Sequence, residues 1–279
     1  MSQRFIIFFS LLIASFSAMA DLQLRFGLYT SDKPSDMVKQ FRPVLNVLEK
    51  DLALKLKKTV KIKLKITNSY EKSIQNLVNG KVDFARFGPA SYVLSVQKNP
   101  KIKILVNEKN RQQKKFSGAI VVKADSGIDS LAQLAGKRFA FGNKNSTTGR
   151  YFAQFRLQEN GIKAKDLATF DYLGRHDSVA ALVSAGRYDA GSFKEGTLRK
   201  FEKKGVKFKI LSTYPNVFKP WLARAGLDEK VFKAIQVSLL SFNDQNALQR
   251  LKRDGFVAGS DSDYKLTRMT IENNRQFFE

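Results

Sequence analysis

Strands and helices alternate along nearly the whole chain, and no other feature restricts its fold as much. Leu22–Leu28 reads as a first strand. Pro34–Asp51 has helical apolar spacing at Val38, Phe41, Leu45 and Leu48. Val60–Ile66 alternates Lys with Ile and Leu, the pattern of a strand with one wet face. Tyr70–Asn79 predicts a helix stopped by Gly80, and Val82–Phe87 a short strand ending at Gly88-Pro89. Further strands are predicted at Ile102–Val106, Ala119–Val122, Lys137–Phe141, Phe170–Leu173 and, as the last clear one, Phe208–Leu211. A long helix is predicted after Thr148, another over Asp177–Ala185, and a helical region from Asp228 onward. Such alternation predicts α/β layers with mainly parallel sheets.

At 279 residues the chain is long for one sheet, so two lobes are expected. No Pro/Gly-rich linker separates them, which suits a chain that crosses out and back by short connections. The polar stretch Lys109–Lys115 marks the first crossing and Ser212–Tyr214 the return. The expected division is residues 21–113 with 212–279 in one lobe and 114–211 in the other.

Residues 1–20 read as a secretory signal peptide: Arg4, an apolar run from Phe5 to Ala14, and the small-residue site Ala18-Met19-Ala20 before Asp21. The run is short for a permanent anchor, which needs about 20 apolar residues. The expectation is an exported, periplasmic protein without stable membrane insertion. The chain has no Cys and a single His, which leaves no disulfide, no thiol nucleophile and no multi-histidine metal site. No cofactor or metal is expected. The formal charge of +24 favours anionic partners. Its densest run, Lys55 to Lys65, reads as a solvated edge or face, and export removes most nucleic acid, so a nucleic-acid partner is not expected.

Four strand-to-helix junctions carry polar residues. Phe141-Gly142-Asn143-Lys144-Asn145-Ser146-Thr147-Thr148-Gly149-Arg150 joins a strand to a helix through hydroxyls and glycines. Free backbone N–H groups and the helix dipole make such a place a cradle for a tetrahedral oxyanion, although an ordinary helix cap uses the same residues. Gly174-Arg175-His176-Asp177 sets the only histidine near a helix start, where it can donate to an anion or simply face solvent. Asn68-Ser69-Tyr70 offers a phenol, and Phe87-Gly88-Pro89-Ala90-Ser91 a sharp turn into a helix. Ligands of open α/β sheets gather beyond the carboxyl ends of strands, so the four junctions together predict a polar site between the lobes.

These segments resemble the phosphonate- and phosphite-binding periplasmic proteins of ABC transporters. The likeness runs in order through Phe26-Gly27-Leu28, Val82–Ala85 with Gly88, Asp125–Ile128, Phe141-Gly142 with Ser146–Gly149, and His176 with Val179 and Ala180. It continues through Asp189–Gly191, Trp221–Leu227 and Gly255–Val257 with Tyr264. It implies a two-lobed type II binding-protein fold closing on a ligand whose oxygens are held by Tyr70, Ser146, Thr147, Thr148 and His176. Two positions depart from the family. Phe116 stands where members often carry Tyr, and Lys219 stands where aminophosphonate binders carry an acid. Lys219 would repel an ammonium and attract an anion, which makes it a sixth expected ligand contact.

The expected function is capture of a small phosphorus oxyanion (phosphonate, phosphite or phosphate), as a monomer, for an ABC permease and its ATPase. A detachable receptor for a sensor kinase would use the same lobes. A phosphoester-processing enzyme is the reading from a different class, and no nucleophile elbow, zinc motif or carboxylate pair supports it.

Overall fold

The computed structural model describes residues 21–109 and 117–279. The expected signal peptide, Phe116 and most of the expected first crossing lie outside the described residues. The strands are β1 (Leu22–Tyr29), β2 (Val60–Thr67), β3 (Phe84–Arg86), β4 (Lys103–Lys109), β5 (Gly118–Lys123), β6 (Arg138–Phe141), β7 (Thr169–Tyr172), β8 (Ala190–Lys194), β9 (Phe208–Tyr214), β10 (Pro220–Ala223) and β11 (Gly255–Val257). The α-helices are α1 (Pro34–Leu56), α2 (Tyr70–Val78), α3 (Pro89–Lys98), α4 (Phe152–Glu159), α5 (His176–Ser184), α6 (Glu195–Glu202), α7 (Glu229–Leu240), α8 (Gln245–Leu251) and α9 (Lys265–Glu272).

Two sheets form, ordered β11-β4-β10-β3-β1-β2 and β7-β6-β8-β5-β9. Each defines a lobe. The predicted parallel character holds only where a helix carries the chain back beside its own strand: β1 with β2 and β3, and β6 with β7 and β8. Strands that enter from the other lobe are antiparallel to their neighbours, as β5 is to β8 and β10 is to β3 and β4. No βαβ unit sets their direction. Strand β9 runs to Tyr214 and pairs with β5, so the return crossing follows Tyr214. Strands β8, β10 and β11 were not among the predicted ones. They are only three to five residues long, too short to show a period.

The first lobe packs α1 against its sheet through Met37, Phe41, Val44, Leu45, Leu48 and Leu52, all buried. Val38, placed on that face by spacing, is 42% exposed, and Met37 takes its role. Trp221 stacks on Phe26 with ring centroids 4.7 Å apart. Fully burying such side chains contributes about 1.5–3 kcal/mol each. At the sheet edge, Lys61, Lys63 and Lys65 point to solvent, as the alternation predicts. Ile62, on that edge, donates its N–H to Glu49 (2.6 Å), and its carbonyl accepts from Arg42 (2.8 Å). The open edge is thereby capped.

The second lobe centres on Phe139, Phe141, Phe152 and Tyr214. Phe277, close to the end of the chain, is fully buried in this core, 5.9 Å from the Phe141 ring. The C-terminal segment therefore leaves α9, which packs on α3 of the first lobe, and finishes in the second.

Candidate functional site

The loop after β6 is shaped by two glycines. A Cβ on Gly142 would sit 3.0 Å from the Gly149 Cα, and one on Gly149 would sit 2.9 Å from the Gly142 Cα. Only glycines allow that approach, which the Gly142 N–H to Gly149 carbonyl bond (2.7 Å) closes. The segment then enters a π-helical turn, Thr147–Tyr151. The Ser146 hydroxyl accepts from the Gly149 N–H (3.0 Å), so it acts as a helix cap, as the plainer reading of this loop holds.

Helix α5 starts at His176, at the end of the connection from β7. The side chain is buried and its Nδ1 has no hydrogen-bond partner. Burial, then the repulsion of Lys194, lowers its pKa to about 3 against the opposing pull of Asp32, with a smaller push from Lys219. The imidazole is neutral at pH 7. Asp177 bonds to Arg175 (2.9 Å), so the sequence pair His176-Asp177 does not form a catalytic dyad.

These groups line one small cavity between the lobes. Its volume is about 30 Å³, and its walls include Tyr29, Ser31, Tyr70, Arg86, Gly88, Pro89, Ser117, Ser146, Thr147, Thr148, His176 and Lys219. All six side chains singled out in the sequence are among them. The Tyr70 phenol lies beside Ser146, and burial holds its pKa well above the usual value. It stacks on Tyr29 with centroids 3.5 Å apart.

Sequence reasoning passed over Tyr29, Ser31, Arg86 and Ser117. Tyr29 and Ser31 end the first strand, so the junction rule that found Tyr70 covers them too. Ser117 follows Phe116 directly and puts a hydroxyl into the cavity. Its Oγ, like His176 Nδ1, is buried without a partner. Arg86 was legible as a cation in an otherwise apolar strand. Its guanidinium makes two bonds to buried Glu108, at 2.8 and 2.9 Å. Arg253 (2.6 Å) and the Trp221 indole N–H (3.2 Å) complete the carboxylate's shell. Burial by itself would raise the Glu108 pKa, but Arg86 and Arg253 outweigh it and hold the group ionised, well below the usual carboxylate range.

The lobes are closed on each other. Thr147 Oγ1 accepts from the Ala90 N–H at the start of α3 (2.9 Å), and Asn145 donates to Glu71 (3.1 Å). Asp32 pairs with Lys194, and Asp36 with Lys200 (3.0 Å). Burial disfavours the Asp32 carboxylate, yet Lys194 holds its pKa well below the usual range.

Known proteins with this architecture define the class first. The structure of PhnD1 from Prochlorococcus marinus with methylphosphonate superposes at a TM-score of 0.79, with 22% identity, covering 91% of this chain and 98% of that one. The aliphatic sulphonate-binding protein SsuA of Escherichia coli gives a TM-score of 0.64 at 18% identity, covering 91% of this chain and 88% of that one. The fold is that of the two-lobed type II periplasmic binding proteins. The family model for the periplasmic substrate-binding protein of phosphonate ABC transporters matches residues 26–264, and the chain belongs to that family.

Among curated relatives, a probable ABC transporter phosphite-binding protein of Prochlorococcus marinus is 26% identical over 198 residues, 66% of this chain and 65% of the relative. A phosphate-import protein of Mycolicibacterium smegmatis is 25% identical over 171 residues, 58% and 51% of the two chains. The matched region spans under two thirds of either relative's length. Among the described residues, no helix is long and apolar enough to cross a membrane.

Proposed function

We propose that this protein captures a small tetrahedral phosphorus oxyanion in the periplasm and delivers it, unaltered, to an ABC permease. One observation carries the reading. Ser117 Oγ and His176 Nδ1 are buried polar atoms without hydrogen-bond partners, and both residues line the same interlobe cavity. An unsatisfied buried polar group costs about 1–3 kcal/mol, so two beside one cavity point to a ligand that bonds both. Neutral donors are sufficient for an anion: a hydrogen bond to an ionised acceptor contributes about 1.5–3 kcal/mol.

Size and charge narrow the class. A water needs about 10–15 Å³, so a cavity of about 30 Å³ suits an oxyanion of a few heavy atoms. Lys219 in the wall disfavours an aminoalkyl phosphonate. Phosphate, phosphite and methylphosphonate fit, and they are the ligands that the names of the relatives and of the PhnD1 complex carry. Asp177 is committed to Arg175, so it does not orient His176 as a catalytic partner.

The test is a thermal-shift and calorimetric screen of phosphate, phosphite, methylphosphonate, sulfate and 2-aminoethylphosphonate. At least one of the first three should raise the melting temperature, since ligand at 100 times Kd adds about 2.7 kcal/mol of stability. The aminophosphonate should bind more weakly. Silence with all five compounds would end this reading.

A further inference from the structure

The loop that carries Ser146, Thr147 and Thr148 is held from outside the cavity by Arg150. Its Nη1 donates to the Lys144 carbonyl (2.6 Å), stapling one end of the loop to the other. Its Nε donates to Gln154 Oε1 (3.0 Å) and its Nη2 to Asn274 Oδ1 (2.6 Å). Asn274 in turn donates to Gln154 Oε1 (2.7 Å), and Gln154 to the Tyr172 hydroxyl (2.9 Å). The guanidinium carbon lies 4.6 Å from the Tyr151 ring centroid and 5.6 Å from that of Tyr172. Asn274 belongs to the C-terminal segment, which Phe277 anchors in the second lobe's core.

Every hydrogen-bond partner of Arg150 is neutral: a carbonyl, two side-chain amides and, at 3.4 Å, the Tyr151 hydroxyl. Arg86 differs, because it is paired with a buried carboxylate, Glu108, which it shares with Arg253. Glu71, the acid that Asn145 of the loop hydrogen-bonds, is paired with Lys98 (3.5 Å). Neutral acceptors fix the direction of a guanidinium without neutralising it. The positive charge of half-buried Arg150 therefore stays uncancelled two residues along the chain from Thr148, which lines the cavity.

Resting on the oxyanion reading above, we infer that Arg150 is a positioning residue with a second task. It sets the curve of the anion loop and adds uncancelled positive potential to the site. Asn274 keeps it in place without spending its charge, which makes the C-terminal segment part of the binding apparatus.

Two variants of the full chain test this, with inorganic phosphate as probe, or phosphite if the wild type prefers it. Asn274→Asp sets a carboxylate against Arg150, and Arg150→Gln removes the charge. Each should weaken binding about tenfold at low salt with a flatter dependence on ionic strength, and Asn274→Asp, which leaves the Arg150 contacts in place, should do so without lowering the melting temperature. Wild-type affinity and salt dependence in both charge-altering variants would overturn the proposal. A loss of affinity that only tracks a lowered melting temperature would overturn it too, since packing alone would then be at work. A wild type that takes neither probe defeats the oxyanion reading itself and this proposal with it.

Discussion

On the first lobe's side of the cleft, the polar groups are already occupied. Tyr29 accepts from the Gly88 N–H (2.6 Å) and from Ser91 (3.4 Å), while Arg86 is locked to Glu108. On the second lobe's side, Ser117 and His176 each present a buried polar atom with no partner. The same cavity thus has a finished wall and an unfinished one. A finished wall holds its shape without ligand. Under the proposed function, the unfinished wall gains its missing hydrogen bonds only from the bound oxyanion, so that side would carry most of the binding free energy.

The largest expected effect breaks the finished wall. Glu108→Gln leaves Arg86 and Arg253 buried against a neutral amide and should cost about 3–5 kcal/mol of stability, read from urea unfolding. A near-normal midpoint would mean that the buried charges are not interdependent. Next comes the unfinished wall. His176→Ala and Ser117→Ala should each weaken oxyanion binding by about 1.5–3 kcal/mol without lowering the ligand-free unfolding midpoint, because neither residue has a protein partner to lose at that atom. Calorimetry showing unchanged affinity in both would place the ligand elsewhere.

The smallest effect is a slope. His176 has a folded pKa of about 3, against about 6.5 for an unperturbed histidine. Between those values the unfolded chain binds the extra proton, so stability falls as the pH drops below about 6.5, and the full contribution is present above it. One proton steepens the curve by at most about 1.4 kcal/mol per pH unit. Asp32, depressed by Lys194, adds a further loss once the pH falls below the range of an ordinary carboxylate, about 3.9. His176→Gln should flatten the stability curve between pH 4 and 6.5 and leave the Asp32 loss in place. An identical curve for variant and wild type would show that the buried histidine titrates normally.

Much of this was legible from local patterns. The alternation of Lys with Ile and Leu in β2 set both the strand and its exposed face. Gly142 and Gly149 bracketed the loop after β6, and all six candidate side chains meet at one cavity. The omissions share a cause. Ser117 is a lone serine beside a crossing, and nothing in its neighbours marks it as facing a cleft. Asn274 lies far along the chain from Arg150, and no period links them. Strands β10 and β11 owe their existence to the edges they pair with, because four and three residues are too few to show a pattern.

The amino-acid sequence by itself determined the layers, the two-lobed plan and the chemistry offered at each strand end, because periodicity and turn residues act over a few neighbours. Only the tertiary structure decided which hydroxyls are already spent on caps, which buried atoms still lack a partner, and which cations keep their charge. Those properties depend on groups brought together from distant parts of the chain. Glu108 pairs with Arg86, Asn274 spares Arg150, and the lobes close over His176.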